Sequence, residues 1–303
     1  MTRDDHQQPS RRLPDGRNIF LDHVGHFVPD RAKAKAAFSS AGFTLTPEAI
    51  HTVPGSDGRP VLAGTGNVCV MLDQGYVEVL FRTADTPLAD QFDKALARHA
   101  GVHLAAFSTA DAGAEAARLL AGGFSVQPPV SLSREILGQP AAFTVIRVAP
   151  GVMAEGRIQF LTHHSEAVVW QAPWLTHANG ARALLDLLLV VDDVDAVAGR
   201  WSAFLGRPAK PSDGGRRIDC ERGAILILPV EGAAHLLGTA DLPSPPTFAA
   251  YGLEVESLAK AAAVLRQSGL AVREERRHLF VPFPAALGQG AWVMVERSAD
   301  LPW

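Results

Sequence analysis

The stretch Phe20-Leu21-Asp22-His23-Val24-Gly25-His26-Phe27-Val28, followed by Asp30 and then Gly42, decides how this chain is read. The apolar run is a strand by content and length. Asp30 suits an N-cap, where its carboxylate accepts an orphan backbone N–H, and Gly42 suits the left-handed position just past a helix. The same pairing returns as Asp111/Gly123, Asp193/Gly206 and Ser257/Gly269, so the four separations are 12, 12, 13 and 12. Self-similarity of this kind marks a repeated supersecondary unit.

Read outward, the first copy predicts a strand at Phe20–Val28 and a helix over Asp30–Ala41. Strand candidates follow around Phe43–Thr46, Arg59–Ala63 and Val68–Leu72, and Gln74-Gly75 leads into a closing strand, Tyr76–Arg82. The second copy predicts strand Val102–Ser108, helix Asp111–Ala121, inner strand Phe143–Val148 and, after Gly156, closing strand Arg157–His163. The third opens at Leu184–Val191, has its helix over Val194–Leu205 and closes with Ala224–Leu228 after Gly223. The fourth opens at Phe248–Val255, has its helix over Leu258–Gln267 and closes with Ala291–Glu296 after Gly290. The fold class is therefore α+β, built from four βαβββ copies. Residues 1–16 read as a flexible tail, 17–165 as the first pair of copies, 166–180 as a connecting arm carrying Trp170 and Trp174, and 181–303 as the second pair. Glu48–Asp57 and Gln127–Gln139 show no readable period.

Composition sets the class. Of 303 residues 47% are apolar and 20% charged, which is globular, and 28 basic against 32 acidic residues give a net charge of −4. No broad positive field favours nucleic acid or an anionic membrane. No apolar run is long enough to span a bilayer, and the polar start lacks a secretory h-region, so a cytoplasmic protein is expected. Cys69 and Cys220 stand far apart, without the CxxC spacing of a thiolate site. The expected partner is a small molecule, with the chain a monomer or homodimer.

Chemistry concentrates in the first two copies. Aligning opening strands sets His23 against His103, and aligning closing strands on Gly75 and Gly156 sets Glu78 against Gln159. His23 to His103 is 80 positions, and Glu78 to Gln159 is 81. A carboxylate inside an apolar strand is costly to bury without a partner. Imidazole with carboxylate suits Zn, Ni, Mn or Fe(II). Alternation puts Arg157 and His163 on the Gln159 face, so Arg157, with Arg147 of similar character, could grip a substrate carboxylate. His163 reads as a rim histidine able to shuttle protons, Asn67 as a pocket-border residue, and His26 as packing under the helix. Arg273–Arg277 reads as solvated. Gly64-Thr65-Gly66-Asn67 lacks the strand–turn–helix setting of a dinucleotide loop.

The segments LDHVGHFV, GTGNVCVMLDQGYVEVL (Gly64–Leu80), GVHLAAF and EGRIQFLTHH (Glu155–His164), with the WQAPW…HANGA arm, resemble the vicinal oxygen chelate superfamily, and within it the glyoxalase-like group. The resemblance implies two paired half-barrels and a divalent metal held by His23, Glu78, His103 and Gln159. Gln159 stands where the family usually has Glu. Copies three and four carry Leu187, Leu226 and Ala250 near the ligand positions, which implies a structural second pair. The implied activity is lyase- or isomerase-type, with a metal-stabilised enediolate and with Glu78 and Gln159 as catalytic ligands. The alternatives are an Fe(II) extradiol-type dioxygenase and a metal-free small-molecule binding protein.

Overall fold

A computed structural model describes residues 12–55, 57, 59–239 and 242–303. The first copy comprises β1 (Ile19–Phe27), α1 (Arg31–Ser40), β2 (Ala49–Pro54), β3 (Pro60–Met71) and β4 (Tyr76–Arg82), after which comes α2 (Pro87–Leu96). The second comprises β5 (Gly101–Thr109), α3 (Ala112–Ala121), β6 (Val130–Ile136), β7 (Gln139–Arg147) and β8 (Arg157–His163). A short helix, α4 (Glu166–Val169), lies in the arm. Then follow β9 (Ala181–Val190), α5 (Val194–Leu205), β10 (Ala209–Ser212), β11 (Gly215–Asp219), β12 (Ala224–Leu228) and α6 (Val230–Leu237). The chain closes with β13 (Thr247–Val255), α7 (Leu258–Gln267), β14 (Arg273–Glu274), β15 (His278–Pro282) and β16 (Ala291–Val295).

All four proposed caps accept backbone N–H bonds: Asp30 from Ala32 and Lys33, Asp111 from Ala114, Asp193 from Ala196 and Ser257 from Lys260. Gly42, Gly123, Gly206 and Gly269 all have positive φ. Local chemistry thus sets both ends of the four repeated helices.

Two boundaries differ from expectation. Phe43–Thr46 is not a strand; Thr46 Oγ1 instead accepts the N–H of Cys69. The candidates at 59–63 and 68–72 are parts of one long strand, β3, whose pairing with β4 runs through Gly66. The unread segments contain β2 and β6, edge strands whose exposed faces carry no alternating apolar pattern. Of the expected tail, residues 1–11 lie outside the described residues. Arg12 Nε donates to the Asp73 carbonyl oxygen at 3.3 Å, and Leu13 packs against the inner apolar cluster.

The strands pair as β2-β3-β4-β1-β5-β8-β7-β6 and as β10-β11-β12-β9-β13-β16-β15-β14. These are two curved half-barrels, joined where Phe248 of β13 pairs with Val102 of β5. One large core, with Phe38, Trp201, Phe204 and Trp292, fills the helix-facing side of both. Burying each such side chain is worth roughly 2–3 kcal/mol. The concave face of the first half-barrel carries Tyr76, Leu80, Leu104 and Ala106, with Phe92 of α2 and the arm's Trp170 and Trp174 against it. Trp170 Nε1 donates to the Leu72 carbonyl oxygen at 3.0 Å, which docks the arm there. The second concavity holds Leu188, Leu226, Ala250 and Phe280 beneath Ala233 and Leu237 of α6, with Trp303 alongside. No described helix is long and apolar enough to cross a membrane.

Candidate functional site

Strand register lays the first concavity out in two transverse rows. One runs Met71–Tyr76–His23–Ala106–Gln159–Arg147, and the next runs Cys69–Glu78–Gly25–Leu104–Arg157. Residues paired laterally project from the same face. His23, Glu78, Gln159, Arg147 and Arg157 therefore all belong to the inner wall.

β1 and β5 are each interrupted once. Their pairing skips from Leu21/Phe107 to His23/Ala106 and from Gly25/Leu104 to His26/Val102, which makes Asp22 and His103 the extra residues of two bulges. Leu21 and Val24, three apart, consequently both reach the helix-side core, as do Val102 and Ala105. Closing-strand registers fix the equivalence of copies: Glu78 lies beside Gly25 as Gln159 lies beside Ala106, and Tyr76 beside His23 as Arg157 beside Leu104. His23 thus corresponds to Leu104, and His103 corresponds to Asp22. The sequence pairing of His23 with His103 is corrected by one residue, the difference between spacings of 80 and 81. In the third copy Leu226 pairs with Leu188 as Glu78 does with Gly25, so the counterpart of His23 is Asp186 rather than Leu187. Asp186 is buried and accepts from Arg217 at 2.7 Å and from Trp303 Nε1 at 3.0 Å.

At the site, Asp22 is shared by two imidazoles. His23 Nδ1 is 2.7 Å from Asp22 Oδ1, and His163 Nε2 is 3.0 Å from Asp22 Oδ2. A carboxylate can only accept here, so each imidazole donates. Burial opposes the charge on Asp22, but the interactions with His163 and then His23 outweigh it and hold the carboxyl well below the usual range. His163 is therefore a buried support with no exposure of its side chain, not the expected rim residue. Donation from Nδ1 leaves His23 Nε2 turned toward Glu78, 3.9 Å from Oε2, while the ring stacks on Tyr76 with centroids 4.3 Å apart. Asn67 Nδ2 donates to the other Glu78 oxygen. Asn67 also lines a cavity of about 70 Å³ between β3, the β6–β7 hairpin and Trp174 of the arm.

Arg147 Nε donates to Gln159 Oε1 at 3.2 Å. Arg157 lies over the Phe27 ring, 5.4 Å from its centroid. Burial, followed by the proximity of Arg147, lowers Arg157 to about 10 against the opposing pull of Glu78. Burial also lowers Arg147, again opposed by Glu78.

His103 is engaged elsewhere. Its Nε2 donates to the His99 carbonyl oxygen at 2.8 Å, and its ring lies 4.1 Å from that of His99 and 5.3 Å from that of Phe27. Burial lowers it to about 4, so it is neutral at pH 7. Among the described residues no three His, Cys, Asp or Glu side chains are grouped to hold a metal ion. His23 and Glu78 come together, Gln159 turns its carbonyl to Arg147, and His103 has its Nε2 committed to backbone. The four-residue ligand set expected from the resemblance does not fit a metal in this arrangement.

Sequence reasoning missed Asp22 and Tyr76. Asp22 carried a signal, being a second charged residue beside His23 inside an apolar strand. His26 lies under α1 as expected, edge-on to Phe38. Its further bonds, Nδ1 to the Leu287 carbonyl oxygen at 3.1 Å and Nε2 with Tyr251 Oη at 3.0 Å, link it to the second half-barrel.

The family model for the glyoxalase-like domain matches residues 21–205, well over half the chain. Among solved structures, the chain is similar to a hypothetical protein from Staphylococcus aureus, with a TM-score of 0.64 and 9% identity over 91% of this chain and 98% of that one. A mutant of 4-hydroxymandelate synthase from Streptomyces coelicolor aligns with a TM-score of 0.51 and 12% identity over 92% of each chain. A xylose isomerase-like TIM barrel/4-hydroxyphenylpyruvate dioxygenase fusion protein aligns at 0.55 and 10% identity, over 95% of this chain and 51% of that one. At these identities the likeness is one of fold. No curated protein matches the chain. Two concave half-barrels of this topology, together with a family match that spans the site-bearing pair of modules, make the chain a member of the glyoxalase-like domain family within the vicinal oxygen chelate superfamily.

Proposed function

We propose that the chain is an enzyme that binds a small molecule with adjacent oxygen atoms in the first concavity and moves a proton on it, in isomerase- or lyase-type chemistry. The observation that carries this is the Asp22–His23 bond at 2.7 Å, which fixes the ring and turns Nε2 toward Glu78. An imidazole so oriented, with its Nδ1–H held by Asp22, presents the Nε2 lone pair as a general base. His163 holds the second Asp22 oxygen and so keeps that carboxylate from turning away. Arg147 and Arg157 supply positive charge for an oxyanion that develops as the proton leaves carbon. His23 then returns the proton to the neighbouring atom. The superfamily generally binds a divalent metal, but the donor arrangement here does not fit one, and no step is assigned to it.

The test uses a panel of 2-hydroxy and 2-oxo carbonyl compounds in D₂O, with loss of the C–H signal followed by proton NMR. Wild-type protein freed of metal by chelation should exchange at least one of them, and His23→Gln should lose about 10²–10⁴-fold of that rate. Unchanged exchange in His23→Gln removes His23 as the base. Exchange that requires one added equivalent of divalent metal rejects the metal-independent route.

A further inference from the structure

The helix caps of the four copies measure out one inward position on each opening strand. Seven residues before Asp30, Asp111, Asp193 and Ser257 stand His23, Leu104, Asp186 and Ala250. Strand pairing selects the same four. His23 lies beside Tyr76, Leu104 beside Arg157 and Ala250 beside Ala291, each the residue after a closing-strand glycine. In the third copy Leu187 pairs with Ile225, which sets Asp186 beside Ala224, the residue after Gly223. One measure runs along the chain and the other across the sheet, and they agree. His103 stands eight residues before its cap, because it is the extra residue of the β5 bulge.

Leu104 fills the place that a second imidazole would take. It is buried, belongs to the inner apolar cluster and lies against Gly25, where an added Cβ would come within 2.9 Å of Leu104 Cβ and 3.0 Å of Leu80 Cδ1. The floor where β1 meets β5 is thus closed by hydrocarbon. His103 does not make up the loss: its Nε2 donates to the His99 carbonyl oxygen, and its Nδ1 is buried without a hydrogen-bond partner in a ring that contacts His99 and Phe27. Gln159 gives its carbonyl oxygen to Arg147. Two donors remain at the ligand positions, His23 and Glu78, 3.9 Å apart. An ion of the zinc type takes at least three protein ligands even where one position stays open for substrate, and a leucine offers none. We propose that position 104, not 103, is the metal-ligand position of the second copy, and that leucine there deprives this chain of the divalent ion its superfamily generally binds. One substitution is then enough to return a third donor, and His103 is not needed for it. This assignment rests on the proposed role of the first concavity, but not on His23 being the base.

The experiment is Co²⁺ titration of the untagged full chain, freed of metal by chelation and followed by calorimetry and visible absorption. Wild type should show no one-equivalent site that depends on His23, with binding there weaker than about 1 mM. Leu104→His should bind one Co²⁺ at least about tenfold more tightly and develop the visible bands of a low-coordinate ion. Leu104→Cys, a small side chain suited to an apolar setting, guards against a folding defect and should add a thiolate-to-cobalt charge-transfer band that wild type lacks. Adding His23→Gln should remove the new site, whereas adding His103→Gln should leave it intact. Three results each overturn the proposal: a one-equivalent site in wild type that His23→Gln or His103→Gln removes, wild-type spectra in both position-104 variants, or loss of the new site with His103→Gln. Wild type without this site and without hydrogen exchange in D₂O rejects the proposed reaction and upholds the assignment of position 104.

Discussion

Acid sensitivity of the interface between half-barrels offers a quantitative check of the buried polar chain at His26. Trp292 Nε1 donates to Tyr251 Oη at 2.7 Å, the Tyr251 hydroxyl meets His26 Nε2 at 3.0 Å, and His26 Nδ1 donates to the Leu287 carbonyl oxygen at 3.1 Å. The directions are forced from both ends: indole can only donate and a carbonyl can only accept. His26 is thus neutral with its lone pair on Nε2. A second proton there would confront the Tyr251 hydroxyl proton in a fully buried site. Burial accordingly lowers His26 from 6.5 to about 4. The unfolded chain binds this proton more readily than the folded one, so stability is present above pH 6.5 and is lost as pH falls through 4. At about 1.4 kcal/mol per tenfold, the gap corresponds to about 3 kcal/mol. Urea unfolding of wild type and His26→Gln, measured at intervals from pH 7 to 4, isolates this one residue from His99 and His103, which burial also keeps neutral. The stability advantage of wild type over His26→Gln should shrink by about 2–3 kcal/mol across the range. An advantage that stays constant with pH refutes the assignment.

Three further outcomes are expected. Asp22→Asn should lower proton-exchange activity by about 10²-fold or more while leaving near-UV circular dichroism unchanged, because the amide can donate to His23 Nδ1 and reverse its tautomer; wild-type activity would dismiss Asp22 as the positioning group. Gly75→Ala should destabilise by more than about 1 kcal/mol in chemical denaturation, since Gly75 has φ +75° and a Cβ would lie 2.7 Å from the Asp22 carbonyl oxygen. A neutral effect would mean that the turn into β4 can shift. Asp193→Ala should cost about 1 kcal/mol by removing the bond to the Ala196 N–H, read as a lowered melting temperature.

The parts of the molecule legible in sequence are those governed by neighbours along the chain. Asp193 and Gly206 bound α5 because a cap needs only its own first turn, and Gly75 announces β4 for the same reason. Strands Arg157–His163 and Ala224–Leu228 were readable from apolar content. β2 and β6 were not, since an edge strand with solvent on one side and a hairpin tip beyond shows no clear alternation. Alternation along one strand made Arg157, Gln159 and His163 legible as residues of one face, and alignment of the copies singled out His23 and Glu78. What was hidden is which of them touch. The departure of His103 toward His99, and the burial of His163 on Asp22, depend on register between strands some 80 to 140 positions apart, which spacing alone does not encode.

The two interruptions in β1 and β5 have a wider consequence. Each central strand changes parity once, so residues before and after the inserted position follow opposite rules for which side they occupy. Removing Asp22 would not merely delete a carboxylate; it would turn Ile19, Phe20 and Leu21 to the opposite sides of the strand and withdraw Ile19 and Leu21 from the helix-side core. Ancestral copies of such a module can therefore exchange chemistry by sliding one amino acid across a phase boundary, with the hydrogen-bonded ladder on both flanks left in place.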